Sequence, residues 1–271
     1  MHNWEGKPLA ELLEKQQTGA VLRLHMNAPD RLNALSDAML AELKAAFDAL
    51  QENKTVRVVI LSGAGKAFCA GHDLKEMTAG RQSGDGGAAY YADLFARCSE
   101  VMQAIPTLPQ PVIAQVHGIA TAAGCQLVAS CDMAVAAEGT RFGVNGVNIG
   151  LFCSTPMVAL SRNMPRKKVM ELLTTGEFLS ASEAEAYGLV NRVVPEGELQ
   201  TATEALAQKV ASKLGSAVKV GKRAFYEQLE MPLVAAYNHA AEVMVANMLE
   251  DDTAEGIAAF LEKRAPNYSG Q

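Results

Sequence analysis

The 271-residue sequence predicts an α/β fold that ends in a helical module, and two patterns support this prediction. Short β-branched runs alternate with amphipathic helical runs up to about residue 199, as in folds that pack helices against a sheet. From about residue 200 onward, apolar residues recur at helical spacing without further strand-like runs. We therefore expect a core over residues 1–199 and a C-terminal helical module over residues 200–271.

The first predicted elements alternate between strands and helices. Apolar and polar residues alternate over 21–26, which predicts a half-buried strand. Ser36 is placed to cap a helix over 39–50, because a serine oxygen accepts the backbone N–H groups that a helix start leaves unpaired. The apolar pattern predicts a further helix over 90–105. Buried strands are predicted at 56–61, 112–118, 133–136 and 190–194. The C-terminal helices are predicted at 199–214, 218–229, 233–249 and 253–261.

Residues 79–89 are rich in glycine and polar side chains, a composition that packs poorly. We expect a mobile loop here. Two interpretations remain open, namely a flap over a pocket and a plain exposed loop.

Composition narrows the classes of partner. The net charge of −6 does not favour nucleic acid or an anionic membrane, and no apolar run approaches the roughly 20 residues of a membrane span. The first residues carry Glu5 and Glu11 and no apolar stretch, so we expect no signal peptide. The five cysteines form no Cys-x-x-Cys pair, and the five histidines form no metal-binding motif. These features predict reduced thiols, a cytoplasmic location and no metal.

Two runs of small residues lie where strand-like sequence changes to helix-like sequence, at 66–75 and 119–127. Backbone N–H groups are unpaired at such a place, and small side chains let a ligand approach them. If the two turns face each other, their N–H groups form an oxyanion site; otherwise both are tight packing turns. The nearby Gly63–Lys66 segment is not a Walker loop, since Ala67 follows the lysine.

Several motifs follow one another along almost the whole chain. They are Pro29–Leu35, Lys66–Glu76, Pro111–Gly118, Ala122–Gln126, Cys131-Asp132, Thr175–Glu177 and Glu255–Arg264. In this order they resemble the crotonase (enoyl-CoA hydratase/isomerase) superfamily. The Cys125-Gln126 pair and segment 150–156 most resemble the subgroup described as enoyl-CoA hydratase domain-containing protein 3.

This resemblance implies a spiral of ββα repeats and a C-terminal trimerisation module, with assembly into a homotrimer or a dimer of trimers. It implies an acyl-CoA substrate from fatty acid metabolism, with coenzyme A as part of the substrate and no separate cofactor. The thioester carbonyl is expected between the backbone N–H groups of His72 and Ala123, and Asp73 is expected to be a helix cap. The substrate-binding residues that the resemblance implies are Arg31, Ala70, His72, Leu74, Gly124, Asn145, Phe260 and Lys263, the last two reaching a neighbouring subunit's site.

The sequence departs from the hydratase pattern at both catalytic carboxylates. Gln126 and Gly146 stand where hydratases of this superfamily have glutamates. Neither residue takes up or releases a proton at neutral pH, so we expect little hydratase activity. Three hypotheses remain: lyase- or isomerase-type chemistry without these carboxylates, a non-catalytic acyl-CoA-binding or regulatory trimer, and a hydratase with relocated acid–base groups. A nucleophilic Cys153 and a catalytic His72 imidazole are weaker alternatives.

Overall fold

The computed structural model describes residues 11–269. Residues 1–10, which include most of the segment used to predict the absence of a signal peptide, and residues 270–271 lie outside that range. The strands are β1 (Leu13–Thr18), β2 (Val21–Met26), β3 (Val58–Gly63), β4 (Val112–Val116), β5 (Ile119–Thr121), β6 (Met133–Ala137), β7 (Arg141–Gly143), β8 (Phe178–Ser180) and β9 (Arg192–Val194). The helices are α1 (Asp37–Gln51), α2 (Leu74–Gly80), α3 (Ala88–Thr107), α4 (Ala123–Ser130), α5 (Pro156–Asn163), α6 (Arg166–Thr175), α7 (Ala181–Ala186), α8 (Leu199–Ala211), α9 (Gly215–Leu229), α10 (Leu233–Met248) and α11 (Asp251–Leu261).

A six-stranded sheet in the order β1-β2-β3-β4-β6-β9 forms the centre of the fold. Only β1 is antiparallel to its neighbour, and the other pairings are parallel. The predicted strands at 21–26, 56–61, 112–118, 133–136 and 190–194 all fall in this sheet, within two residues of their predicted ends. A second sheet, β5-β7-β8, is built from three-residue strands and was not predicted.

Apolar packing covers both faces of the large sheet. Leu24 and Leu61 point into the main core, which includes buried residues of α1, α3 and α4. Val58 and Ile60 point to the other face, where Leu206 of α8 covers them. Helix α8 therefore packs on the sheet although it starts at the predicted module boundary, and a boundary near residue 200 stays a prediction.

The N-terminus of α1 confirms the predicted cap, because Ser36 Oγ accepts a hydrogen bond from the Met39 N–H at 3.2 Å. The predicted loop over 79–89 is too long at both ends, since its first and last residues belong to α2 and α3. Between them, the Asp85 carboxylate accepts hydrogen bonds from the Gly87 and Ala89 N–H groups. With the Ser83 hydroxyl, these bonds lower the pKa of Asp85 to about 2. The segment between the two helices thus contains hydrogen-bonded turns, and its mobility stays a prediction.

Within residues 11–269, no helix is both long and apolar enough to cross a membrane. The same part of the chain contains no group of three acidic, histidine or cysteine residues that could hold a metal ion. All five cysteines are free and buried.

Candidate functional site

The two small-residue segments lie side by side. The Cys69 N–H donates to the Ile119 carbonyl at 3.2 Å, and the Thr121 N–H donates to the Cys69 carbonyl at 3.1 Å. These bonds align residues around Cys69 in parallel with β5. His72 follows the first paired segment and Ala123 follows the second. The two stretches of chain that lead to these residues therefore start next to each other.

Two glycines permit this close approach. Gly71 has φ +89°, and a methyl group there would lie 3.0 Å from Ala122 Cβ and 3.3 Å from the Ala123 nitrogen. A methyl group at Gly124 would overlap the Cys69 carbonyl oxygen. Glycine is needed at both positions because the two backbones are in contact. The small residues are thus packing residues, and the same packing brings the two candidate N–H donors into neighbouring positions.

The two candidate donors have no protein acceptor in the described part of the chain. Ala123 is the first residue of α4, so its N–H has no partner inside the helix. Neither this N–H nor that of His72 donates to another residue between 11 and 269. The preceding Ala122 has φ 50° and ψ −121°, a backbone conformation that residues with a Cβ rarely adopt. The Ala122 N–H donates to the Gly143 carbonyl at 2.9 Å, which anchors this turn.

The His72 side chain packs against α3. Its ring meets Phe95 edge to face, with centroids 5.6 Å apart, and its Nδ1 lies 3.4 Å from the Leu35 carbonyl oxygen. Burial lowers the pKa of His72, so the imidazole is neutral near pH 7. A carbonyl only accepts, so the proton is assigned to Nδ1 and Nε2 becomes an acceptor. This Nε2 is buried and has no hydrogen-bond partner in the described part of the chain.

Gln126 lies in the first turn and a half of α4. Gln126 is 5% exposed, and its side-chain Oε1 is buried without a hydrogen-bond partner among residues 11–269. Residues three apart share a helix face, and helical side chains lean toward the N-terminus. The Gln126 side chain is therefore on the face of Ala123 and leans toward that residue.

Gly146 lies in a short 3-10 helix over Asn145–Ile149. A methyl group there would overlap the Leu151 carbonyl oxygen and lie 2.9 Å from Cys153 Sγ. The Leu151 N–H also donates to the Gly146 carbonyl at 3.0 Å. The chain over 151–153 therefore fills the space of a side chain at 146, a contact that sequence reasoning missed. Burial also raises the pKa of the Cys153 thiol, which disfavours the thiolate form.

Asn145 connects this segment to β5. The Thr121 hydroxyl donates to Asn145 Oδ1 at 2.6 Å, directly before the Ala122 turn. The structure thus brings Asn145 together with the Ala123 segment.

Arg31, Ala70 and Leu74 lie around the start of α2. Asp73 caps this helix, accepting the Lys75 and Glu76 N–H groups at 2.9 and 3.2 Å, which confirms the predicted cap. The Arg31 guanidinium forms ion pairs with Asp73 and with Glu76, the latter at 3.0 Å. The Ala70 N–H donates to the Leu32 carbonyl, and the Leu74 side chain is exposed.

The two C-terminal candidates lie at the end of α11. Phe260 is 82% exposed and lines an open cleft of about 360 Å³ formed by residues of α9, α10, α11 and Tyr268. Lys263 follows the helix with φ 56°. This cleft contains none of the other predicted site residues.

The comparison with known families agrees with this geometry. A sequence profile described as enoyl-CoA hydratase/isomerase matches residues 16–271. The chain therefore belongs to the enoyl-CoA hydratase/isomerase family, and its fold is the α/β crotonase fold.

Individual relatives narrow the resemblance within that family. Enoyl-CoA hydratase domain-containing protein 3, mitochondrial, of Mus musculus is 46% identical over 258 residues, which cover 95% of this chain and 84% of the relative. The crystal structure of the human protein of that description has 45% identity and a TM-score of 0.91, covering 95% of this chain and 100% of that chain. An enoyl-CoA hydratase structure from Mycobacterium smegmatis has 53% identity and a TM-score of 0.92, with 95% and 99% coverage. These similarities confirm the superfamily and the subgroup that the motifs indicated.

Proposed function

We propose that this protein binds an acyl-CoA thioester with the carbonyl oxygen between the His72 and Ala123 N–H groups, and that it is not an ordinary hydratase. Two observations support this proposal: the two backbone segments are in contact, and neither N–H group has an acceptor among residues 11–269. Two fixed donors stabilise the negative charge that an enolate oxygen gains. The N-terminal end of α4 adds a favourable dipole.

The missing carboxylates argue against hydration. Gln126 is neutral, and segments 119–130 and 140–155 contain no aspartate or glutamate. General acid–base catalysis contributes roughly 10²–10⁴-fold per group, so the loss of both groups removes most of a hydratase's rate. We propose lyase- or isomerase-type chemistry that uses the oxyanion site without these carboxylates.

The remaining predicted site residues are proposed to bind the coenzyme A part of the ligand. Arg31, Ala70 and Leu74 surround the start of α2, where they can contact the adenine and pantetheine groups. Phe260 and Lys263 would reach this site from a neighbouring subunit of a homotrimer or a dimer of trimers. The apolar side chains that α10 and α11 expose support such an assembly; among them are Leu233, Val234, Tyr237, Met244, Val245, Met248 and Leu261.

A non-catalytic acyl-CoA-binding or regulatory trimer is the second candidate. It is favoured by the filled space beside Gly146, which leaves no room for a second acid–base side chain. A hydratase with relocated acid–base groups is the third candidate.

We also propose a cytoplasmic location, because five free buried thiols fit a reducing compartment.

Calorimetric titration with CoA, butyryl-CoA and crotonyl-CoA, together with a crotonyl-CoA hydration assay, tests the proposal. Ala123→Pro removes one donor at a helix position that tolerates proline, and Ala123→Gly keeps the N–H as the matched control. We expect thioester binding by the wild type and the glycine variant and much weaker binding by the proline variant. In a catalysed reaction, the lost donor should cost on the order of 10²–10³-fold in turnover.

Each contrary result has a distinct meaning. Crotonyl-CoA hydration at the rate of ordinary hydratases would contradict the assignment of Gln126 and Gly146. Equal thioester binding by the proline and glycine variants, with equal melting temperatures, would contradict the oxyanion site. Thioester binding without conversion of any thioester in a panel would favour the binding protein over the enzyme.

A further inference from the structure

Asn33 is a buried residue whose side-chain amide joins two separate turns of the chain. The residue is 0% exposed. Its Oδ1 accepts the Ala28 N–H at 2.9 Å, and its Nδ2 donates to the carbonyls of Ala64 and Ala67, each at 2.8 Å. Gly63 makes room for this amide, since a methyl group there would lie 2.7 Å from Asn33 Nδ2. The amide therefore binds the turn before α1 to the turn after β3.

The backbone of the turn before α1 also depends on Asn33. Leu32 and Asn33 have φ 52° and 51°, left-handed values that residues with a Cβ rarely adopt and that asparagine tolerates better than most. The Asn33 N–H donates to the Ala28 carbonyl at 2.9 Å, so the main chain and the side chain close the same turn. Asn33 therefore supplies both the conformation and the hydrogen bonds that hold this turn.

This turn is hydrogen-bonded to the segment that carries the first proposed donor. The Ala70 N–H donates to the Leu32 carbonyl at 3.0 Å, and the Leu35 N–H donates to the Gly71 carbonyl at 2.8 Å. The Gly71 carbonyl and the His72 N–H belong to one planar trans peptide group, so they point in opposite directions. The hydrogen bond from Leu35 therefore fixes the direction of the His72 N–H.

The second proposed donor, the Ala123 N–H, is oriented by a local bond. The carbonyl of its peptide group, that of Ala122, accepts the Gln126 N–H at 3.0 Å as the first i→i−4 bond of α4. By contrast, the bond to the Gly71 carbonyl comes from a distant part of the sequence. A hydrogen bond at the carbonyl end of a peptide group also polarises its N–H, because hydrogen bonds in a chain strengthen one another. Of the two donors, it is the His72 N–H whose orientation depends on the remote turn.

On the basis of the proposed acyl-CoA function, we infer that Asn33 is a positioning residue for the oxyanion site. Asn33 is fully buried, so it acts through the turn and not by contact with the ligand. Its amide fixes the turn, Leu35 orients the Gly71–His72 peptide group, and the His72 N–H is thereby directed at the thioester oxygen. Such support matters because a functional group must be held within roughly 0.5 Å of its productive position.

Calorimetric titration with butyryl-CoA and with S-butyl-CoA, a thioether analogue without the carbonyl, measures what the carbonyl contributes to binding. The ratio of the two dissociation constants is insensitive to changed coenzyme A contacts, since both ligands share them. We expect the wild type to prefer the thioester about tenfold, the contribution of one or two hydrogen bonds. Asn33→Ala should reduce this preference to about threefold or less, because one donor loses its orientation.

Infrared difference spectra of butyryl-CoA with a ¹³C-labelled carbonyl give a second readout that does not depend on affinity. Two fixed donors polarise the bound carbonyl and lower its stretching frequency. In Asn33→Ala this frequency should move back toward that of the free thioester.

Gln110 provides the matched control. It is a second buried amide, 3% exposed, and its Nε2 donates to the carbonyls of Leu50 and Asn53 at 3.0 and 3.1 Å. These carbonyls precede β3, whereas the carbonyls that Asn33 binds follow it. Gln110→Ala should lose stability as Asn33→Ala does and keep the preference of the wild type for the thioester. Thermal melting shows that each variant is folded.

Asn33→Asp decides the question if the alanine variant does not fold. It keeps the size of the side chain and an acceptor for the Ala28 N–H. Near pH 8 its carboxylate faces two carbonyls and donates no hydrogen bond, whereas at about pH 5 the protonated group donates to one of them. The preference for the thioester should therefore be larger at the lower pH, and a wild-type preference at both pH values would overturn the inference.

The remaining outcomes separate this inference from the proposed function. A wild-type preference in folded Asn33→Ala would overturn the inference and leave thioester binding intact. An equal loss in Gln110→Ala would assign the effect to general stability, and equal weakening of free CoA, thioether and thioester would assign it to the coenzyme A contacts; either result overturns the inference. If the wild type itself shows no preference for the thioester, the proposed oxyanion site fails.

Discussion

Positions 126 and 146 both lack the expected carboxylate, but they lack it for different structural reasons. At 126, a glutamine of nearly the same size as glutamate lies buried on the Ala123 face of α4. At 146, a glycine is in contact with the Leu151 carbonyl and lies close to Cys153 Sγ. The first departure replaces a carboxylate with an amide of similar size, whereas at the second the chain over 151–153 occupies the space of a side chain.

This difference decides which departure can be reversed. Gln126→Glu alters one atom of a side chain that already fits its surroundings. Gly146→Glu must first displace segment 151–153, since even the Cβ overlaps backbone. A double Gln126→Glu, Gly146→Glu variant would therefore fail as a hydratase for a packing reason before its chemistry was tested.

The largest expected effect is at Gly146. Gly146→Ala should lower the free energy of unfolding by about 2–3 kcal/mol, because the methyl group has no room without a backbone shift. Chemical denaturation measures this loss. Gly139→Ala is the matched control, since a methyl group there meets no atom within 4 Å. Equal stability of the two variants would show that segment 151–153 moves aside easily, and position 146 would then resemble position 126.

Gln126→Glu should have a smaller effect that depends on pH. A buried carboxyl group without a partner has a raised pKa, so its folded state binds a proton more tightly than its unfolded state. Stability should match that of the wild type below about pH 4 and fall by about 1–2 kcal/mol as pH rises toward 8. Thermal melting from pH 4 to 8 measures this trend, with Gln126→Met as the uncharged control. A flat difference between the glutamate and methionine variants would contradict the burial of this side chain.

The buried side chain of His72 should also make the stability of the protein depend on pH. Burial lowers its pKa from 6.5, so above pH 6.5 both folded and unfolded states are neutral and no stability is lost. As pH falls below 6.5, the unfolded state takes up the proton first and stability decreases. His25, whose pKa burial also lowers, adds to this trend. His72→Phe should therefore reduce the loss of melting temperature between pH 7 and 5, and an unchanged loss would contradict the buried neutral imidazole.

The smallest effect is expected at Ala122. Glycine adopts φ 50°, ψ −121° more readily than alanine does, but it also loses more entropy on folding. Ala122→Gly should stabilise the protein by up to about 1 kcal/mol and leave thioester binding unchanged, since the Ala123 N–H is retained. Denaturation and calorimetry measure the two results. A clear loss of stability would show that the Ala122 methyl group packs favourably rather than strains the turn.

Local patterns predicted much of the fold. β-branched runs gave the parallel strands, and Ser36 identified the start of α1, because these features depend on neighbours in sequence, whereas the Asp73 cap was expected from the family resemblance. Strand β1 was missed because five of its six residues are exposed and carry little apolar signal. The role of Gly146 was missed for another reason: it depends on how residues 151–153 fold back, and no local pattern encodes that contact. The small residues at Gly71 and Gly124 marked the candidate site only because two separate segments each carried the signal.

The pairing of Cys69 with β5 also has a consequence for how this protein can be studied. The proposed thioester donors are main-chain groups whose separation is set by other main-chain groups. Replacing side chains one by one with alanine would find nothing at Ala123, and at His72 it would remove the imidazole while the donor stayed in place. Surveys that count lost side chains at these two positions would therefore leave the two proposed donor groups unchanged and would not test them.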